Sequence, residues 1–170
     1  MIFQSIAGIY SAQEMGFRHK ILDEIYKLDF DSVLELGCDG KDLPNLEILR
    51  DRYPDLKLAG CDNILFAHGV EKAEMLNVNL RAIDLNDGLP YPDKSYDLVF
   101  TSAVLMYVKD LHRVLKDLPR VAKKYIVLGE VMDRDYTKLI EADWTTIDID
   151  KNFWPGYTHK YEGKILIGKL

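Results

Sequence analysis

The chain has 170 residues, 48% hydrophobic and 29% charged, and a formal net charge of −6. That length suits one domain over residues 1–170 with a sizeable core, and the acidic balance argues against broad electrostatic capture of nucleic acid. No apolar run reaches the ~20 residues needed to span a bilayer, the first residues lack the pattern of a secretory leader, and Cys38 and Cys61 make no disulfide framework, so a cytoplasmic protein off the membrane is expected.

Met15, Ile21, Leu22, Ile25 and Leu28 fall near helical spacing and predict an amphipathic helix over 12–28. Residues 32–37 (SVLELG) read as the first strand, closed by a glycine turn through Cys38, Asp39 and Gly40. Asp42 is the expected cap of the next helix, with Pro44 in its first turn and Pro54 ending it. A second strand at 56–62, a helix at 66–76 and a third strand at 79–85 follow, then an Asn-Asp-Gly turn. The fourth strand is expected near 96–101 and the next helix starts at Asp110, with Pro119 expected to interrupt it. A fifth strand at 124–131, a short helix at 134–142 and two last strands at 144–150 and 163–170 complete the chain. Strands alternating with helices predict an α/β fold: three layers around a doubly wound, seven-stranded, mostly parallel sheet, closed by a C-terminal antiparallel hairpin.

In such a sheet the ligand lies beyond the carboxyl ends of the strands, where strand order reverses. The first strand brings Glu35 and Gly37 there, the second Asp62, the third Asp84 and Leu85, and the fourth Thr101 and Ser102. Glu35 in a buried strand is costly unless a cation or a hydrogen-bond donor meets it, and Asp39 adds a second acid to the turn. Acids around a glycine turn suit a small cationic cofactor, which points to S-adenosylmethionine. A dinucleotide would want G-x-G-x-x-G where this chain has G-x-x-G, and a carboxylate about 4 Å from a phosphate charge costs roughly 4 kcal/mol at an effective dielectric near 20. No cluster of Cys or His has metal-ligand spacing, so no metal is expected.

VLELGCDG (33–40), LAGCD (58–62) and IDLNDGLPYPDKSYDLVFTSAVLMYV (83–108) together resemble the class I, Rossmann-like S-adenosylmethionine-dependent methyltransferases over about residues 30–131. The resemblance implies that Gly37 admits the cofactor's methionine end, which Glu35 orients, and that Asp62 takes the ribose diol. It also implies that Asp84 and Leu85 flank the adenine and that Asn63 and Ile64 pack against adenine or ribose. Asp39 stands where the family has a second glycine, with Gly40 taking the place of the family's last glycine and one residue deleted. GCDGKDL is similar to a shortened form of a turn found in small methylases of surface-sugar biosynthesis.

The acceptor side would be built from the ends of the fourth and fifth strands, the first helix and the aromatic loop 151–163. Glu130 and His159 are the candidate catalytic groups, set against structural roles for both. The expected activity is methyl transfer to a small-molecule hydroxyl or amine, sugar-related in one version, with a homo-oligomer or partner subunit as a way of completing the pocket. The alternatives are a non-catalytic cofactor-binding subunit and a protein methyltransferase.

Overall fold

The computed structural model describes residues 3–5, 8–10, 12–132, 135–149 and 162–170. A small antiparallel pair, β1 (Phe3–Ser5) and β2 (Gly8–Tyr10), precedes helix α1 (Ala12–Ile25). Then come β3 (Ser32–Leu36), α2 (Pro44–Arg52), β4 (Lys57–Asp62), α3 (Ala67–Met75) and β5 (Val78–Ala82). The second half holds β6 (Tyr96–Ser102), α4 (Leu111–Val121), β7 (Ala122–Met132), β8 (Asp143–Asp148) and β9 (Glu162–Lys169).

The seven-stranded sheet has the order β5-β4-β3-β6-β7-β9-β8. β3 to β7 pair in parallel, and β9 runs antiparallel between β7 and β8. The chain steps outward from β3 to β5, then returns to β6 on the other side of β3, so the switch in strand order lies at β3. The doubly wound sheet with its antiparallel C-terminal strand is thus as expected, with the last strand inserted inside the edge rather than forming it.

β3 is buried along its whole length, which is why it reads as a near-continuous apolar run. Its two faces feed two cores. Leu34 and Leu36 join Val99, Ile126 and Leu128 under Val114, Leu115, Leu118 and Val121 of α4. Val33 joins Leu58, Leu98, Phe100 and Val127 under Phe17, Ile21, Leu22 and Ile25 of α1 and Leu46 and Leu49 of α2. Ile21, Leu22 and Ile25, which the sequence places on one helical face, pack in this second core.

Four local expectations are corrected. Pro119 does not interrupt α4, because it stands in the last turn, where its missing amide frees a single carbonyl. Its own carbonyl accepts from Lys94 Nζ at 2.8 Å, and Arg120 beside it donates to the carbonyls of Leu89 and Tyr91, tying the 89–94 loop to the helix end. Asp42 does not cap α2: Leu43 occupies the cap position in a left-handed conformation (φ 45°), so the side chain of Asp42 lies one residue too early. The helix expected at 134–142 is reduced to a 3-10 turn, Tyr136–Lys138, whose N-terminus Asp135 caps through the amide of Thr137. The third strand stops at Ala82, and Asp84 instead caps the 3-10 turn Leu85–Asp87.

Two glycines let the turn after β3 close. Gly37 has φ +69°, and a Cβ there would overlap the side chain of Val104. Gly69, in the first turn of α3, lies against the backbone carbonyl of Gly40, which also accepts from the amide of Phe66 at 3.0 Å. A methyl at position 69 meets rigid backbone rather than a flexible side chain. Gly69→Ala is therefore expected to destabilise the fold by about 1–3 kcal/mol, read as a lower urea midpoint at unchanged slope.

Candidate active site

A cleft of about 440 Å³ opens over the carboxyl ends of β3, β4 and β6, within the size range of small-molecule sites. The turn after β3 supplies Gly37 and Asp39, the end of β4 supplies Asp62 and Asn63, and the segment after β5 supplies Ile83, Asp84, Leu85 and Asn86. The far wall is Ser102, Ala103, Val104, Tyr107 and Val108, and Arg18 of α1 reaches in from the other layer. A wider groove of about 770 Å³ runs between α4 and residues 139–141. Charges of both signs line it, and it contains no strand end and no glycine turn, so the chemistry-bearing residues favour the smaller cleft.

The geometry of the turn follows from the sheet. The amides of Gly37 and Cys38 both donate to the carbonyl of Cys61, at 2.8 and 3.0 Å, which joins the turn to the end of β4 and sets Asp62 beside it. Asp62 is partly exposed, and its Oδ1 accepts the Ile64 amide at 3.4 Å. Asp84 accepts the amide and the side-chain nitrogen of Asn86 through Oδ1, at 2.9 and 2.7 Å, and these bonds hold its carboxyl below the usual range. Asn86 Oδ1 in turn accepts the amides of Lys109 and Asp110, so Asp84 is tied through Asn86 to the far end of the 103–110 segment.

Glu35 lies under the turn, 1% exposed, with Oε1 accepting from Asn45 Nδ2 at 2.6 Å. Burial pushes its pKa up to about 7 against the opposing pull of the Asn45 bond and the nearby Arg18 charge. Glu130 is equally buried, and burial raises it to about 7 as well. Its two oxygens accept the amides of Val104 and Leu105, at 3.3 and 3.1 Å.

Of the residues singled out from the sequence, the cleft brings together Gly37, Asp39, Asp62, Asn63, Asp84, Leu85 and Ser102. Cys38 and Thr101 are fully buried behind it, Gly40 packs beneath Ile64 and Gly69, and Ile64 points outward with 57% of its surface exposed. Glu130 is not part of the lining, and His159 lies outside the described residues. Both thiols are inert packing groups: burial drives Cys38 far above the ordinary thiol range and Cys61 up to about 12. Sequence reasoning missed Arg18, which stands in a short basic run (Arg18-His19-Lys20). Its neighbours Phe17 and Ile21 are buried, so Arg18 borders the apolar face of α1, and that adjacency was the available signal. Asn86, Ala103, Val104 and Val108 were also missed, since their place in the lining depends on contacts distant in sequence.

Comparison with known proteins identifies the family. A family model described as "Methyltransferase domain" matches residues 34–127, more than half of the chain. The chain belongs to that family. It is an S-adenosylmethionine-dependent methyltransferase with a Rossmann-like fold. An S-adenosylmethionine-dependent methyltransferase from Aquifex aeolicus is similar in structure at 15% identity, with 94% of each chain covered and a TM-score of 0.67. A Pyrococcus horikoshii protein matches at 14% identity, covering 94% of this methyltransferase and 92% of its own chain, with a TM-score of 0.70. The [4+2]-cyclase SpnF matches at 15% identity, with 91% and 79% covered and a TM-score of 0.69. None of the curated proteins matches in sequence. Among the described residues no helix is long and apolar enough to cross a membrane.

The buried state of Glu35 has a pH consequence. Its folded pKa, about 7, lies above the ordinary carboxyl value of 4.5, so between those values the folded state holds the proton more tightly than the unfolded chain. Its contribution to stability is complete below about 4.5 and is lost as pH rises through about 7. Glu35→Gln removes this dependence. Its stability relative to wild type is expected to improve by on the order of 1–3 kcal/mol from pH 4.5 to pH 8, checked by urea unfolding at both pH values.

Proposed function

We propose that the cleft holds S-adenosylmethionine with its ribose on Asp62, its adenine between Asp84 and Leu85, and its methionine end over the turn at Gly37 and Asp39, for transfer of the methyl to a small-molecule hydroxyl or amine. The observation that carries this reading is the charge pattern of a lining with three acids, Asp39, Asp62 and Asp84, and one base, Arg18. A ligand with a sulfonium, an ammonium and one carboxylate complements it: the carboxylate suits Arg18, the ammonium suits Asp39, and a carboxylate such as Asp62 can accept from both hydroxyls of a ribose. Gly37 supports the fit from below, because any side chain at that position would collide with Val104.

When bound, the cofactor supplies an electrophilic methyl on a positively charged sulfur. The residues of the chain act by orientation and by excluding water. Such positioning supplies a large share of the rate in a displacement between two held reactants. No histidine, lysine or cysteine lines the cleft among the described residues, in keeping with a reaction that needs a general base only when the acceptor must lose its proton as it attacks. Where it must, Tyr107 and Asp39 of the lining, and His159 of the aromatic segment 151–163, are the groups to test. The resemblance of GCDGKDL to the turn of small sugar-pathway methylases supports a sugar-related acceptor.

A second reading, a cofactor-binding protein without methyl transfer, is favoured by the shortened turn, where Asp39 adopts φ 58° in place of a glycine. The cyclase with the same fold shows that chemistry other than methylation is compatible with it. Calorimetry with S-adenosylmethionine and S-adenosylhomocysteine tests both readings, and formation of S-adenosylhomocysteine across a panel of hydroxyl and amine metabolites separates them. Asp62→Ala is expected to weaken cofactor binding by about 1–3 kcal/mol; unchanged affinity would remove Asp62 from the site.

A further inference from the structure

The wall of the cleft opposite the glycine turn contains a strained residue. Ala103 has φ +55°, in the left-handed region that a side chain disfavours. Such a conformation costs on the order of 1–3 kcal/mol and persists only where the surroundings over-determine it. Here they do. Three successive amides are taken by two successive residues at the end of β7: Ala103 N–H by the carbonyl of Gly129 at 2.7 Å, Val104 N–H by Glu130 Oε1 at 3.3 Å and Leu105 N–H by Glu130 Oε2 at 3.1 Å. Without the carboxylate, the two amides at the start of the 3-10 turn Leu105–Tyr107 would lack those partners.

The consequence reaches the ligand space. Val104 is the residue whose side chain fills the position a Cβ at Gly37 would need, so the place of Val104 sets how closely the wall approaches the turn. Between the hold at 104–105 and the second hold, where Asn86 takes the amides of Lys109 and Asp110, only Met106, Tyr107 and Val108 intervene. Glu130 makes no contact with the cleft itself and is 1% exposed, which sets it apart from a group that exchanges a proton with an acceptor.

We propose that Glu130 is a positioning residue of the cofactor cleft: by taking the amides of Val104 and Leu105 it holds Ala103 left-handed and keeps Val104 against Gly37. This rests on the reading of the cleft as the S-adenosylmethionine site. The carboxylate acts as a two-pronged cap on the turn, delivered from a neighbouring strand rather than from the turn's own sequence.

The test is titration calorimetry with S-adenosylhomocysteine, paired with amide hydrogen exchange at Val104 and Leu105. Glu130→Gln presents an amide nitrogen where one backbone N–H needs an acceptor. It is expected to raise the Kd roughly tenfold and to speed exchange at those two amides while β6 and β7 remain protected. Ala103→Gly introduced into that variant makes the left-handed turn accessible without strain and is expected to return the Kd to within about threefold of wild type. A general loss of packing would not be rescued in this way. If Glu130→Gln fails to fold, Glu130→Asp serves instead, since a side chain one methylene shorter cannot span both amides. Wild-type affinity in a folded Glu130 variant, or no rescue by glycine, overturns the proposal. Wild-type protein that gives no heat is a different failure, which overturns the cofactor reading and the role of Glu130 with it.

Discussion

Two amides sharing one carbonyl hold the site together. Gly37 and Cys38 both donate to Cys61, extending the β3–β4 pairing one step past the ladder and then turning the chain off the sheet. The turn is possible because Gly37 takes a positive φ, and Val104 leaves no room there for a side chain. From that contact follow the placement of Asp62 beside the turn, the position of Asp39 in the lining and the packing of Gly40 against the start of α3. The parallel pairing of β3 on both edges makes the arrangement rigid, because every strand that reaches the cleft is anchored in the same sheet.

Two carboxylates lie buried at this end of the sheet, and geometry separates their roles. Glu35 receives one side-chain bond, from Asn45, and sits beneath the glycine turn in the field of Arg18. Glu130 receives two backbone amides and organises the opposite wall. Burial raises both by a similar amount, so the pKa alone does not tell them apart. Asp62, partly exposed, and Asp84, exposed, line the cleft, whereas the buried pair lie behind it. A methyltransferase that relies on orientation has reason to place its stiffest interactions in that supporting layer.

Much of the fold was legible because it is written in short-range patterns. The apolar run Val33–Leu36, the 3.6-residue spacing of Leu111, Val114, Leu115 and Leu118, and the glycines after β3 each carry local information about period, burial and turn type. The acid at the end of β4 was equally legible, since a topology of alternating strands and helices puts every strand end on one rim. The misreadings share one cause. Pro119 was judged by its intrinsic effect on a helix, but its place in the last turn and the Lys94 contact with its carbonyl accommodate it. Asp42 was judged by residue type, but the left-handed Leu43 shifts the cap position by one.

The amino-acid sequence by itself determined the strand and helix order, the family, the glycine turn and the acids at the strand ends, because each depends on neighbours within a few residues. Only the tertiary structure decided that Arg18 enters the cleft, that β9 lies between β7 and β8, and that Glu130 restrains Val104 and Leu105, 25 or more positions away in the chain. Those relations join segments whose separation carries no local signal. They arise when burial of the two faces of the sheet fixes which strand ends and helix borders meet.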